Sequence, residues 1–467
     1  MFATEVYQDR RKQLMGRIEN GLLLFLGNRP SPINFADMTY PFRQDSNFLY
    51  FFGLNQPNLA GLLDVESGEE MIFGHEPGIE EIIWTGPQIG MAELKEHSGV
   101  ARALDPSELK PIVDNALAQG RKLHFLPPYR SENKIVLLEL FGVDPTRAGE
   151  LASIDLIKAI VALREIKSIE ELEQIEMAVD LTGEMILANM RCIRPGEREK
   201  VAAARARQVA DARTTTSFPM ILTTQGQYLH HMSCLNVMRE GDLLIQDCGA
   251  ESALGYAADI TRTIPVSPRF NSRQRDVYEL VLNAQELALS HLRPGVAFRD
   301  VHHAACLCLA RGLKDLGILT GHPEEAVAAG AHALFFPCGV GHAMGLDVHD
   351  MEDLGEDYVG YSEEIRRSPQ FGLDRLRLAK PLKAGMVVTV EPGLYFIPGL
   401  IEKWQRQGLH TEFINFGALA AYLEIGGVRL EDDVVITETG YRVLGRLIPK
   451  SIPAVEDIRR QGTNGGG

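Results

Sequence analysis

Cysteine is scarce in this chain, and none of it falls in a motif. The six residues, Cys192, Cys234, Cys248, Cys306, Cys308 and Cys338, are scattered through 467 positions without a CxxC pair. A chain this long needs no disulfide framework, so all six read as free thiols. Cys306 and Cys308 lie within a helical pattern and read as packing rather than ligation. Long apolar runs are missing as well. The longest early one, Leu22 to Leu26, is strand-sized, far short of the ~20 apolar residues a membrane helix needs. Positive charge is in deficit: the formal charge is -16, so the net field repels nucleic acid and anionic lipid. Neither partner is expected. Met1 to Asn20 lacks the apolar core of a secretory signal and carries Asp9, Arg10, Arg11 and Lys12 instead. A cytoplasmic protein is the expectation.

What is present divides in two. Residues 1–155 alternate short apolar strands, such as Leu22–Leu26 and Met71–Phe73, with helical stretches, as an α/β domain does. The aromatic run Phe48-Leu49-Tyr50-Phe51-Phe52 reads as a buried strand. From Leu156 the pattern turns helical. Leu172, Ile175, Val179, Ile186 and Met190 recur at helical spacing until Pro195-Gly196 stops the run. A second domain over 156–455 follows, and 456–467 reads as a flexible tail ending in glycines.

The second domain carries a diverged internal repeat. A long helix, Arg194-Pro195-Gly196, a second helix and the strand Gly241-Asp242-Leu243-Leu244-Ile245-Gln246-Asp247 form the first half. A helix from Ser272, Arg293-Pro294-Gly295, another helix and Gly385-Met386-Val387-Val388-Thr389-Val390-Glu391 form the second. In each half a glycine precedes an acid by six positions, with an apolar strand between. Two similar halves that each deliver a carboxylate to the same place predict a pseudo-symmetric sheet with a site between them.

Four acids interrupt or end strand-like runs: Asp247, Asp259, Glu391 and Glu431. Carboxylates are rarely buried unless paired or metal-bound. An arginine partner or a helix cap explains any one of them. All four together call for cations, and two divalent ions would satisfy them at once. The run Gly339-Val340-Gly341-His342-Ala343-Met344-Gly345-Leu346-Asp347-Val348-His349-Asp350 adds imidazoles in a glycine-rich stretch where backbone can approach closely. Carboxylates with one imidazole form a hard, oxygen-rich donor set, which favours Mn2+, with Co2+ and Zn2+ as alternatives. His302, His303 and His332 read as structural or surface residues.

At these residues the sequence resembles the pita-bread metallopeptidases, the group that holds aminopeptidase P and prolidase. The resemblance rests on Ala258-Asp259-Ile260-Thr261-Arg262-Thr263, the Gly341 to Asp350 run, Glu391-Pro392-Gly393 and Arg429-Leu430-Glu431-Asp432. Phe42-Arg43-Gln44-Asp45-Ser46-Asn47-Phe48 extends it to the N-terminal domain, so it spans nearly the whole chain. It implies a pita-bread catalytic domain behind an N-terminal α/β domain, a homodimer, and hydrolysis of the bond between a peptide's first residue and a following proline. It implies Asp247, Asp259, His342, Glu391 and Glu431 as ligands of two divalent ions, with Asp259 and Glu431 bridging. His349 matches the histidine that steadies the substrate carbonyl, Arg429 the arginine that holds the site's carboxylates, and His230 a histidine at the substrate mouth. Glu391 would also pass the proton. One position departs from the pattern: Cys338 stands where the family usually has a substrate-binding histidine.

Arg377, fourteen residues before Glu391, is similar to the prolidase arginine that takes the substrate's free carboxylate, a task suited to bidentate guanidinium geometry. With the insertions on either side of Glu391, it tilts the expectation slightly toward a dipeptidase over an aminopeptidase. A creatinase-like enzyme does not need the five ligands, and methionine aminopeptidase lacks so large an N-terminal domain. A non-catalytic pita-bread binding module is the alternative from another class.

Overall fold

A computed structural model describes residues 1–464, in two compact units: Met1–Arg164 with Met351–Tyr358, and Glu165–Asp350 with Val359 onward. The first unit ends at Arg164 rather than near 155, because the helix Ile154–Arg164 belongs to it.

The first unit is built on a five-stranded mixed sheet. Leu22–Leu26 runs antiparallel to Ala60–Asp64, with Leu24 opposite Leu62, and parallel to Leu123–Phe125, with Leu24 opposite Phe125. Glu70–Phe73 and Arg102–Leu104 complete the sheet on the far side of Ala60–Asp64. Both faces of Leu22–Leu26 are covered, which is why its sequence is continuously apolar rather than alternating. Leu22 and Leu24 join Leu62, Phe73 and Val113 in one core, while Phe25 packs edge-on and tilted against Phe52 and Phe51.

The aromatic run is a helix, Ser46–Phe52, not the expected strand. A short apolar run has no periodicity to tell the two apart, so the flanking residues decide. Asp45 caps the helix by accepting from the Phe48 amide at 2.9 Å, and Gly53 ends it at φ 68°, its N–H on the Leu49 carbonyl. A side chain at position 53 would also strike the Tyr7 ring.

The second unit repeats one order of elements. The helices Ile169–Cys192 and Glu199–Asp211 flank the Arg194-Pro195-Gly196 turn, and Leu243–Cys248 follows. The helices Ser272–His291 and Phe298–Asp315 flank Arg293-Pro294-Gly295, and Val387–Val390 follows later. Each half makes a small antiparallel sheet. Leu243–Cys248 is central between Ile221–Thr223 and Ile260–Pro265; Asp432–Ile436 is central between Val387–Val390 and Tyr441–Val443. A third pair, Gly393–Tyr395 with Gly427–Arg429, sets Gly393 opposite Arg429. These strands are buried along their length apart from Tyr441–Val443.

The expected tail is mostly structure. Residues 452–464 form a helix, and only 465–467 lie outside the described residues. The buried Arg459 anchors it, donating to the carbonyls of Met190, Ile193, Pro265 and Val266. The Met190 and Ile193 carbonyls end the helix Ile169–Cys192, where orphan acceptors need such a donor. The terminal glycines masked this anchor in the sequence.

Helix ends here are individually testable. Asn271 and Gln274 cap Ser272–His291 reciprocally, each side chain accepting the other's backbone N–H at 3.0 and 2.9 Å. Asn271→Ala is expected to destabilise the second unit by about 1 kcal/mol, read as a lower denaturant midpoint with activity per folded molecule unchanged.

Candidate metal centre

The hairpin of Leu243–Cys248 and Ile260–Pro265 pairs Asp247 with Thr261, and Asp259 lies just before the second strand. Val387–Val390 pairs with Asp432–Ile436, Val390 opposite Asp432, so Glu391 and Glu431 flank the same end of that ladder. The Glu431 amide donates to the Thr261 carbonyl at 3.1 Å and joins the two hairpins. His342 arrives on a segment pressed against Val387–Val390: its amide donates to Thr389 Oγ1, and a Cβ on Gly341 would lie 2.0 Å from the Thr389 carbonyl oxygen. Glycine at 341 is what permits that approach.

The structure brings Asp259, His342 and Glu431 together, with potential ligand atoms within 4.8 Å of one another. His342 Nε2 is 3.4 Å from Asp259 Oδ2 and 3.7 Å from Glu391 Oε1. Arg429 donates to Asp247 Oδ2 at 2.5 Å, to the Tyr395 hydroxyl at 3.0 Å and, through Nε, to Thr261 Oγ1 at 3.1 Å. Thr261 in turn donates to Glu431 Oε2 at 2.7 Å. The His349 ring is edge-on to that of His342, centroids 4.2 Å apart.

The electrostatics are those of an unneutralised acid cluster. Burial pushes Asp259 well above the usual carboxylate range, and the charges of Glu431, Asp247, Asp433 and Glu391 push it further. Glu431 is raised well up for the same reasons, burial first, then Glu391 and Asp247, against Arg429 and Thr261. Burial raises Glu391 to about 7, with Arg429 opposing and Asp247 adding. Burial works against the charged form of Arg429, but Tyr395 and the carboxylates of Asp247, Glu391 and Glu431 outweigh it and hold the guanidinium charged.

Hydrogen bonding leaves the same deficit. Asp247 Oδ1, Asp259 Oδ1, Glu431 Oε1 and Asp433 Oδ1 are buried carboxylate oxygens without a hydrogen-bond partner. Such atoms carry a full desolvation cost unless a cation takes them. Carboxylate oxygens and one imidazole in this arrangement fit hard divalent ions, and they would come from Asp247, Asp259, His342, Glu391 and Glu431.

The other sequence candidates lie around this cluster. His230 is exposed, yet partial burial lowers its pKa; the positive charge of Arg429 adds to this, Asp247 opposes, and Arg377 and His349 contribute. Its neighbour His231 pairs instead with Ser233 at 2.7 Å. Burial pushes Cys338 to about 12, with Glu391 adding and Arg429 and Arg377 opposing, so it is a neutral thiol beside the acids. Arg377 thus acts on His230, Glu391 and Cys338 alike.

Sequence reasoning missed four supporting residues. Tyr395 and Thr261 hold Arg429, Asp433 accepts the Asp259 amide at 2.9 Å, and Arg262 binds Asp432 and the Glu431 carbonyl, both at 2.6 Å. The consecutive acids Glu431-Asp432-Asp433 were the one available signal, since three adjacent acids in a buried strand cannot all face a single site.

An acid cluster short of cations, set between two matching hairpins in a chain that also carries a separate α/β unit, defines a metal-dependent hydrolase of the pita-bread fold. The sequence profile of metallopeptidase family M24 matches residues 173–438, and that of the aminopeptidase P N-terminal domain matches 7–124. The chain belongs to metallopeptidase family M24 and is an enzyme of that family. It is 32% identical to Xaa-Pro aminopeptidase of Escherichia coli, covering 97% of each chain, and 30% identical to human Xaa-Pro dipeptidase, covering 89% of this chain and 84% of that one. Among solved structures, Pseudomonas aeruginosa aminopeptidase PepP superposes with a TM-score of 0.82 at 26% identity. Aminopeptidase P from E. coli with the inhibitor Pro-Leu gives 0.81 at 29% identity. Each covers 99% of both chains.

Proposed function

We propose that the chain removes the N-terminal residue from peptides with proline in second position, as an Xaa-Pro aminopeptidase using two divalent ions held by Asp247, Asp259, His342, Glu391 and Glu431. The observation that carries the reading is the set of buried, unpartnered carboxylate oxygens beside His342, in a chain similar along its whole length to Xaa-Pro aminopeptidase of E. coli. That similarity moves the preference from the dipeptidase, toward which the sequence alone leaned. The oxygen-rich donors favour Mn2+, with Co2+ and Zn2+ as alternatives.

Bound divalent ions supply Lewis acidity toward the scissile carbonyl and make a water acidic enough to be a nucleophile at neutral pH. The chain's own groups supply the rest. Glu391 takes a proton from the attacking water and passes it to the departing proline nitrogen. That nitrogen belongs to a tertiary amide with no N–H, so it must gain a proton to leave as a secondary amine. His349, whose ring lies edge-on to that of His342, would donate to the oxygen that becomes negative. Arg429 orients Asp247, and His230 and Cys338 line the approach of the substrate. The six free cysteines suit a cytoplasmic setting. The exposed Phe35, Met38 and Tyr40, on and beside the hairpin Pro32–Phe35/Met38–Thr39, support a homodimer.

The dipeptidase reading keeps one specific support, the charge of Arg377 acting on His230 and Glu391. Xaa-Pro-Yaa tripeptides and Xaa-Pro dipeptides, assayed with Mn2+, separate the two. Tripeptide cleavage is expected, and turnover of dipeptides alone would make the enzyme a dipeptidase. If Arg377 binds a free proline carboxylate, Arg377→Ala raises KM ten- to a hundredfold for dipeptides only, the range lost with one charged hydrogen bond of about 1.5–3 kcal/mol. Equal effects on both substrates would remove Arg377 from that role.

A further inference from the structure

A second group of potential metal ligands sits apart from the acids, in the same unit. His302 and Cys306 are one turn apart on the helix Phe298–Asp315, and His332 lies in the short helical turn Ala331–Leu334. One ligand atom from each falls within 4.8 Å of the others, and all three residues are buried. The sequence alone reads Cys306 as packing and His302 and His332 as structural or surface residues, since each by itself in an apolar setting is ordinary.

Packing leaves two atoms unexplained. Cys306 Sγ lies 3.2 Å from His302 Nε2, which accounts for one ring nitrogen. His302 Nδ1 and His332 Nδ1 are both buried without a hydrogen-bond partner. A neutral imidazole carries a donor on one nitrogen and an acceptor on the other, so each ring keeps an unmet polar atom in an apolar setting. Phe336 stacks at a tilt on His302, centroids 5.5 Å apart, and offers no polar relief. The spacing suits an ion. Zinc-type bonds of about 2.0–2.3 Å in tetrahedral geometry set ligand atoms roughly 3.3–3.8 Å apart, close to the sulfur–nitrogen separation here. Two ligands at i and i+4 on one helix face and a third from a neighbouring turn is a common way to build such a site.

We propose that His302, Cys306 and His332 form a thiolate-bearing site for a Zn2+-class ion, separate from the carboxylate site. Its donors are soft where those of the acid cluster are hard, so the two sites select differently. Binding forms a metal–sulfur bond, breaks the Cys306 S–H bond and releases that proton to solvent, so affinity rises with pH. Burial keeps both histidines neutral near pH 7, His302 at about 3 and His332 at about 4, as ligation requires. The ion would tie the helix Phe298–Asp315 to the turn that leads, through Phe336 and Cys338, to His342. Burial pushes the Cys306 thiol up, so an ion must displace its proton to bind there.

Cobalt substitution tests the site with a readout independent of turnover. A Co2+–thiolate bond gives an intense near-ultraviolet charge-transfer band, and oxygen and imidazole ligands alone do not. The Co2+-loaded enzyme, its acid cluster also filled, is expected to show the band with the intensity of one thiolate-bound ion per chain. Asp259→Asn should keep it, and Cys306→Ser should lose it. Cys306→Ala, which leaves a small apolar side chain in the core, serves if the serine variant fails to fold. Absence of the band in the wild type overturns the proposal, as does its survival in both Cys306 variants, whatever Cys338→Ser does.

Discussion

Glu431→Ala and Asp259→Ala are each expected to lower Xaa-Pro hydrolysis by about a thousandfold or more, and to lose bound metal in parallel. Several kcal/mol of transition-state stabilisation depend on the ions, and each 1.4 kcal/mol is a tenfold change in rate. Metal content by elemental analysis and kcat on an Xaa-Pro-Yaa peptide are the two readouts. Stability distinguishes this from a damaged core. Without metal, burial raises both Asp259 and Glu431, and like charges raise them further, Glu431 and Asp247 acting on Asp259, Glu391 and Asp247 on Glu431. Deleting one therefore relieves repulsion, and the metal-free variant should melt no lower than the metal-free parent. The metal-loaded variant should melt lower than the loaded parent, because ligand stabilisation disappears with the site. A variant that keeps full activity without metal would sink the assignment of these two carboxylates.

Both hairpins of the site were legible in the sequence because their strands are buried on both faces. Continuous runs such as Leu243–Gln246 and Val387–Val390 can be little else when an acid ends each one. The repeat of Arg-Pro-Gly turns marked the two halves, since each turn stops one helix and starts the next. Phe48–Phe52 was not legible as a helix: its apolar pattern is neutral between helix and strand, and the deciding signals, Asp45 and Gly53, lie outside the run. Arg459 was hidden for another reason. Its partners are carbonyls of Met190, Ile193, Pro265 and Val266, some 190 to 270 positions away, and backbone acceptors leave no trace in residue type. His302, Cys306 and His332 fall between these cases. Two of them share a visible i, i+4 spacing, but only the fold brings the third alongside.

The gap in melting temperature between metal-loaded and metal-free enzyme is expected to widen steadily from pH 5 to pH 8. Asp259, Glu391 and Glu431 all have folded-state values above the unfolded carboxylate range near 4. Groups raised in this way favour the folded chain while they are protonated. Their contribution is whole below about pH 4 and is lost as pH climbs through the folded values, which for Glu391 is about 7. Glu391 shares this loss with the carboxylates coupled to it. Asp432 runs the opposite way: burial would raise it, but Arg262 and Lys450 hold it low, so its support is lost only as pH falls below about 4. The two effects occupy different windows, and between pH 5 and pH 8 the metal-free chain should weaken. Divalent ions reverse the sign for the ligands, since they bind the ionised carboxylates and compete with protons. Thermal melts of metal-free and Mn2+-saturated enzyme at unit steps of pH supply the comparison. Parallel curves for the two forms would mean that these carboxylates titrate normally without metal, and that the buried acid cluster is not what the ions neutralise.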